Sequence, residues 1–498
     1  QDSFGNIWIG NYRGGIDFIS HTQPLFNTIT YKTEKYGHNC NKQVWGLWAD
    51  NNRQIWLGGE GELGIYKEGK EIEIIPLNQC RLNKQTHISV IHQDKHGDLW
   101  LGTHKHGVAI YHPDTKRITC IGDDKDGSLD ILCFYEDTDG KIWIGTQSGL
   151  YSAYNRELTQ EDKINRLLTN KGIRSILRDK NGKLWIGAKG LFLFDDKGQL
   201  FQELTTEQSF PIRSVNYLME DSRKRIWVGT NDGILVFRDA SHLEDYSHYG
   251  TKEGLQNTNV RAIQEDHDGT IWLSTNAGIS RLDEKTKTFY NYNHYDGVPM
   301  GDFMDGSTCI STDGILYFGS QGGACYFTPG EVNSIRKPAP VTITQFSIYD
   351  KQTESKDTEH PLPLTDANIQ LPYNQNTFKI SFNVLDYAIS SQVEFSYILE
   401  GLENTWYNTQ GEKQIIFRNI PPGHYTFKVK TRLRNQEWEK DEATLHIRIT
   451  PPFWLSWYAK LIYALLIILI IYGVSRFYKR KLDLESSLEV ERKQSLNK

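Results

Sequence analysis

The phrase Asp137-Thr138-Asp139-Gly140-Lys141-Ile142-Trp143-Ile144-Gly145-Thr146 recurs along the chain, and its spacing leaves few folds open. Its aromatic falls at Trp8, Trp56, Trp100, Trp143, Trp185, Trp227, Trp272 and Tyr317, so successive copies lie 48, 44, 43, 42, 42, 45 and 45 residues apart. Repeats of this length belong to propellers and solenoids, whose units bury their faces only against one another.

Each period reads as a four-stranded antiparallel sheet. In one copy the run from Val260 to Asp266 is strand-like and Asp266-His267-Asp268-Gly269 is a tight turn. Ile271 to Thr275 returns as a buried strand, Gly278 to Leu282 supplies a third, and Phe289 to Tyr292 an outer fourth. Such a sheet exposes two faces and two edges, and a closed ring of blades protects both. The recurrent Trp is expected to pack between blades, because its slot is kept whatever polar residues surround it.

Seven complete copies run from Trp56 to Tyr317, which predicts a seven-bladed β-propeller over residues 26–330, its last blade degenerate because Tyr317 replaces Trp. The copy at Trp8 is left over. Residues 1–25 are read as the end of a preceding propeller, and the chain, which opens on Gln1 inside a repeat, as a piece of a longer protein.

After Pro338-Ala339-Pro340 the repeat stops. Alternating strands are expected at 341–349, 376–386, 392–399, 413–418, 424–433 and 443–449, which predicts an immunoglobulin-like β-sandwich over 338–450. Trp454 to Val474 is then almost wholly apolar, and its 21 residues at about 1.5 Å each span a bilayer core of about 30 Å. A buried core helix is the competing reading, disfavoured by length and by Trp454, Trp457 and Tyr458 at interfacial positions. Arg476, Lys479, Arg480 and Lys481 flank its far end, so the positive-inside rule places residues 475–498 in the cytoplasm, residues before 454 in the periplasm, and the span in the inner membrane. Residues 475–498, with Leu484, Leu488 and Leu496, begin an amphipathic signalling helix. The fold class is therefore all-β, with one transmembrane helix and the start of a cytoplasmic one.

A formal net charge of -6 speaks against general nucleic-acid binding, which needs a basic excess. Six cysteines, Cys40, Cys80, Cys120, Cys133, Cys309 and Cys325, form no C-x-x-C pair. Most are expected to be small buried residues, and whether Cys309 and Cys325 join in a disulfide stays open.

Taken together, the Asp-x-x-Gly-x-Ile-Trp-Ile-Gly-Thr repeat, the motifs Leu385-Asp386-Tyr387, Phe395 to Leu402, Trp406 and Pro421 to Phe427, and the helix after Pro451-Pro452-Phe453-Trp454 resemble the sensors of hybrid two-component systems. In those, propeller repeats precede a triple-tyrosine domain. The resemblance covers the whole chain. It implies two propellers, the triple-tyrosine domain, one membrane span, a histidine kinase with its ATP, a receiver and a DNA-binding output that governs glycan utilisation, and it implies a homodimer. It assigns no catalytic residue and no cofactor within these residues, since the phosphorylated His and the ATP site would lie beyond Lys498.

Loops after each second strand and before each first strand share one propeller face, the default place for a ligand. Candidate ligand residues there are Arg13, Trp45, His104, Lys105, His106, Arg174, Lys189, Arg213 and Arg261, with Arg174, Arg261 and Trp45 in equivalent slots of three blades. Guanidinium groups pair with carboxylate or sulfate, and an aromatic face carries a sugar ring. For any one of these residues the competing reading is a solvated loop charge. His104 and His106 lack a nearby third metal ligand, and Asp123 to Gly127 and Asp266 to Gly269 are read as turns rather than calcium loops. The function expected is an oligosaccharide sensor. The alternatives are a membrane-anchored propeller glycosidase or lyase, and a scaffold binding a protein partner.

Overall fold

The computed structural model describes residues 1–496 except 3–5, 12–13, 20–23, 31, 36–37, 42, 80–81, 122–128, 155, 166–167, 169–170, 196, 207–209, 333–338, 349–357, 361–367, 387–392, 410 and 434–436. Residues 22–335 form one compact unit; residues 1–21 and 336–498 fall outside it.

Unit 22–335 is a ring of seven four-stranded antiparallel sheets. Blades 1 to 6 occupy residues 46–76, 88–121, 131–160, 175–204, 215–249 and 260–292, each with its strands in chain order from inner to outer. Blade 7 takes Phe303–Ile310, Leu316–Ser320 and Gly323–Phe327 from the end of the unit, and its outer strand is Asn27–Ile29 from the start. Phe26, 1% exposed, fixes that join by packing on Phe327 and Tyr292 with ring centroids 4.6 and 5.0 Å away. The inner strand of blade 7 packs against those of blades 1 and 6, which closes the ring.

The repeated phrase is a hydrogen-bonded unit. Asp179 accepts the Trp185 indole N–H at 2.8 Å with one carboxylate oxygen, and the backbone N–H groups of Asn181 and Lys183 at 2.9 Å with the other. Asp50, Asp94, Asp137, Asp221 and Asp266 hold Trp56, Trp100, Trp143, Trp227 and Trp272 in the same way, at 2.8–3.2 Å. The first copy repeats it, Asp2 accepting from Trp8 at 3.1 Å, on a two-stranded hairpin of Ile7–Asn11 and Gly15–Ile19. Gly182 in the turn has φ 80°, a left-handed conformation that suits glycine. In blade 7, Ser311 replaces Asp and bonds the Ile315 N–H, while Tyr317, which has no indole N–H, replaces Trp.

The tryptophans pack between blades as their sequence slot implies. Trp185, Trp227 and Trp272 are completely buried, and Trp272 meets Phe327 of blade 7 with centroids 4.7 Å apart. Burying a side chain of this size removes about 150–250 Å² from water, roughly 4–6 kcal/mol as an upper estimate.

Residues 339–450 fold as a sandwich. One sheet orders Thr358–His360, Val341–Ile348, Phe378–Val384 and Gln414–Phe417. The other orders Asn368–Leu371, Glu442–Ile449, Gly423–Leu433, Val393–Glu400 and Tyr407–Asn408, with Asn368–Leu371 parallel to its neighbour. Alternate residues of the strands, Phe378, Ile380, Phe382, Phe427 and Val429 among them, meet in one core. The Tyr425 hydroxyl donates to the Pro421 carbonyl at 2.8 Å and so ties the turn to the strand that follows it.

The C-terminal helix runs from Trp457 to Leu496 and contains a stretch long and apolar enough to cross a membrane. It begins three residues later than the apolar run suggests. Phe453–Leu455 forms a short 3-10 turn after Pro452, and Ser456, in extended conformation, caps the helix by accepting the Ala459 N–H. No break separates the apolar part from the polar residues after 475.

Candidate functional site

Hydrogen bonds between the two loop sets join residues within a blade and link neighbouring blades. Val44 N–H donates to Ser320, Ile88 to Gly59, His104 to His87, Gln147 to Asp130, Ile173 to Thr146 and Gln321 to Asp302, all at 3.0–3.1 Å. Both sets therefore lie on one face around the propeller axis.

At the mouth of the axis the inner strands are irregular. In blades 2, 3, 5 and 6 one residue is skipped in the ladder: Ser89, Leu132, Asn216 and Arg261. Each is a β-bulge, which re-aims a side chain out of the alternating pattern. Trp45 and Arg174 hold the equivalent place just before the inner strands of blades 1 and 4. Some of these side chains stitch the ring. Ser89 Oγ donates to the Ile131 carbonyl of the next blade at 2.5 Å, and buried Asn216 donates to the Val260 carbonyl at 2.8 Å.

Blade 7 departs further. Its ladder passes from Phe303, opposite Ser320, to Thr308, opposite Phe318, so four residues, Met304 to Ser307, face the single Gly319. Gly306 takes φ 67° and lies against the Tyr217 ring of blade 5. Burial pushes the Tyr217 phenol up to about 12, so it stays neutral. Asp305, in this bulge, receives Arg261 at 2.7 Å and Arg174 at 3.6 Å. Arg261 is braced by Asn276 at 2.7 Å and Arg174 by Asn216 at 3.1 Å.

A second group lies on blades 1 to 3. Trp45, His87 and His104 form an edge-to-face chain with centroids 6.2 and 6.4 Å apart. His104 Nδ1 is 2.9 Å from Asp130, which also accepts the Lys105 backbone N–H at 2.7 Å. His106 bonds the His104 carbonyl at 3.0 Å. The Trp45 indole N–H is buried without an acceptor among the described residues.

Of the residues expected at the site, Arg174 and Arg261 converge on one carboxylate, and Trp45 and His104 share an aromatic chain. Lys105 and His106 sit beside that chain. Lys189 and Arg213 are exposed on their loops, with no ion pair to a described residue. Arg13, and the loop from Asp123 to Gly127, lie outside the described residues. Asp266 is a turn residue holding Trp272, and no group of metal-ligating side chains occurs among the described residues. Cys133, Cys309 and Cys325 are free thiols; Cys309 and Cys325 sit on the first and third strands of blade 7, paired with Tyr317 and Phe318. Asp305 and Asn216 were missed in the sequence. Asp305 lies in a run, Asp302-Phe303-Met304-Asp305-Gly306, that breaks the repeat, and that break was the available signal.

Comparison with known proteins fits this architecture. Residues 127–148, 167–190, 209–232 and 254–277 match the two component regulator propeller, and residues 386–450 match the Y_Y_Y domain. The chain thus combines two component regulator propeller repeats with a Y_Y_Y domain.

Among individual proteins, it is similar to the extracellular domain of the hybrid two component system BT3049 from B. thetaiotaomicron. The two are 37% identical with a TM-score of 0.81, over 91% of this chain and 61% of that one. The corresponding domain of BT4673 from the same organism shares the fold at 20% identity and a TM-score of 0.51, over 90% of this chain and 61% of that one. Histidine kinase P4 of Formosa agariphila is 27% identical over 242 residues, 48% of this chain and 18% of that protein. The chain therefore spans 61% of the BT3049 chain and less than a fifth of the kinase.

Proposed function

We propose that this chain senses an oligosaccharide outside the inner membrane and passes the signal through its single helix to a cytoplasmic histidine kinase, which draws on ATP, and to a DNA-binding output controlling glycan utilisation. The observation that carries the sensing part is the ring of re-aimed side chains at the propeller axis. It offers one aromatic face, Trp45, and two guanidinium groups, Arg174 and Arg261, within a frame of asparagines. Planar guanidinium groups suit carboxylate or sulfate, and the indole suits a sugar ring. The chain acts as a homodimer, in which the helix after residue 475 is repositioned when ligand favours one state. The shift is limited by the ligand's difference in affinity between the two states.

Calorimetric titration of the full chain in lipid nanodiscs with a panel of acidic and neutral oligosaccharides tests the reading. Saturable heat from at least one saccharide is expected. Absence of binding across the panel removes sugar sensing, and release of reducing sugar during the titration replaces it with a hydrolase or lyase.

A further inference from the structure

The extended bulge of blade 7 places a carboxylate between two arginines of other blades, and this arrangement has the form of a binding site filled from within. Six blades present at most one residue at this position; blade 7 presents four, Met304 to Ser307. Two guanidiniums against one carboxylate leave an excess positive charge, and all three side chains keep solvent contact, Arg174 at 39%, Arg261 at 21% and Asp305 at 36% exposure. The arginines are oriented by partners other than Asp305, Arg261 by Asn276 and Arg174 by Asn216. Asn216 is itself held by the Val260 carbonyl and by Asn231 and Asn259. The cationic pair would therefore keep its geometry if Asp305 left. The bulge, by contrast, is imperfectly satisfied: Ser307 Oγ is buried with no hydrogen-bond partner among the described residues, and a Cβ on Gly319 would collide with it. An unpaired buried hydroxyl destabilises this bulge conformation relative to one in which the hydroxyl finds a partner.

We propose that Arg174 and Arg261 form an anion subsite at the propeller axis, which Asp305 occupies in the unliganded protein and which a ligand's carboxylate or sulfate group takes by displacing it. The subsite rests on the sensing reading above and adds to it a chemical class, acidic saccharides. Asp305 then acts as a built-in competitor and sets selectivity, since a neutral sugar cannot replace its charge. Displacement is also registered in blade 7, the blade assembled from both ends of the propeller's chain, Asn27–Ile29 and Phe303–Phe327.

The test compares the full chain in nanodiscs as wild type, as Asp305→Asn, and as Arg174→Gln/Arg261→Gln/Asp305→Asn. Inorganic sulfate is the first probe, titrated against chloride at equal ionic strength while the melting temperature is followed. Asn keeps the shape of Asp, so Asp305→Asn should fold and bind sulfate at least about tenfold more tightly than wild type, a gain the triple variant loses. An equal response of all three proteins, or no gain in Asp305→Asn, overturns the subsite. The second probe is the oligosaccharide panel. Acidic members should tighten in Asp305→Asn and neutral members should not. If acidic saccharides bind the wild type and the triple variant alike, the subsite fails while sugar sensing stands. If no saccharide binds any protein but sulfate separates them, sugar sensing fails while the subsite stands.

Discussion

At the scale of single residues, a turn carboxylate such as Asp179 does two tasks with two oxygens. One closes the turn by accepting backbone N–H groups and the other holds the indole N–H of the blade's tryptophan. Asp179→Ala leaves the fully buried Trp185 N–H without an acceptor, and a loss of about 2–4 kcal/mol in denaturant unfolding is expected. Asp137 adds a dependence on pH. Burial opposes its ionisation, but the Trp143 N–H, the Arg178 guanidinium and the Thr138 N–H outweigh burial and hold its carboxyl below the ordinary 3.8. A depressed carboxylate contributes stability that is present above its unfolded value and lost as pH falls through the lower folded value. Asp137→Asn should therefore flatten the stability profile between about pH 5 and pH 3, measured as urea midpoints, and an unchanged acid limb would count against this role. The Asp and Trp of this pair were both plain in the sequence, six residues apart in every copy but the last. Their hydrogen bond was not, because a spacing of six has no fixed geometry until the turn between them is closed.

At the scale of elements, the strand Asn27–Ile29 shows how local reading fails. It is three residues long and precedes the first full copy, yet it completes the last blade nearly 300 residues later, which the sequence pattern does not encode. Phe26→Ala removes the aromatic that anchors this strand on Phe327 and Tyr292, and a loss of about 3–5 kcal/mol is expected, read by chemical denaturation. A change below about 1 kcal/mol would mean that the closing strand adds little to the ring. The bulges at Ser89, Leu132, Asn216 and Arg261 are of the same kind. A one-residue insertion in an inner strand leaves the apolar pattern on either side readable, so the equivalent slots of Arg174 and Arg261 were legible, but the carboxylate that joins them was not. Asp305 comes from another blade and reaches them only because four residues there loop out of the ladder.

At the scale of the whole molecule, the unbroken helix from Trp457 to Leu496 constrains signalling. Its 40 residues measure about 60 Å, roughly twice the thickness of a bilayer core, so a membrane crossed by the apolar part would leave the polar half projecting as a continuation of the span. A rotation or shift imposed at Trp457 would then reach residues after 475 without a hinge. The basic cluster Arg476, Lys479, Arg480 and Lys481 predicts which side that half occupies. In Ser495→Cys, labelling by an impermeant maleimide beyond that of the parent chain should occur only after lysis of the inner membrane. Labelling in intact spheroplasts would reverse the orientation.

The sequence by itself determined the repeat, the count of seven blades, the change to a sandwich after residue 338 and the apolar helix, because periodicity and hydrophobic pattern are local properties that survive without coordinates. The tertiary structure alone decided which ends meet in blade 7 and which charges face one another at the axis. Those contacts join residues 44 to about 300 positions apart, and only closure of the ring brings them within hydrogen-bonding reach.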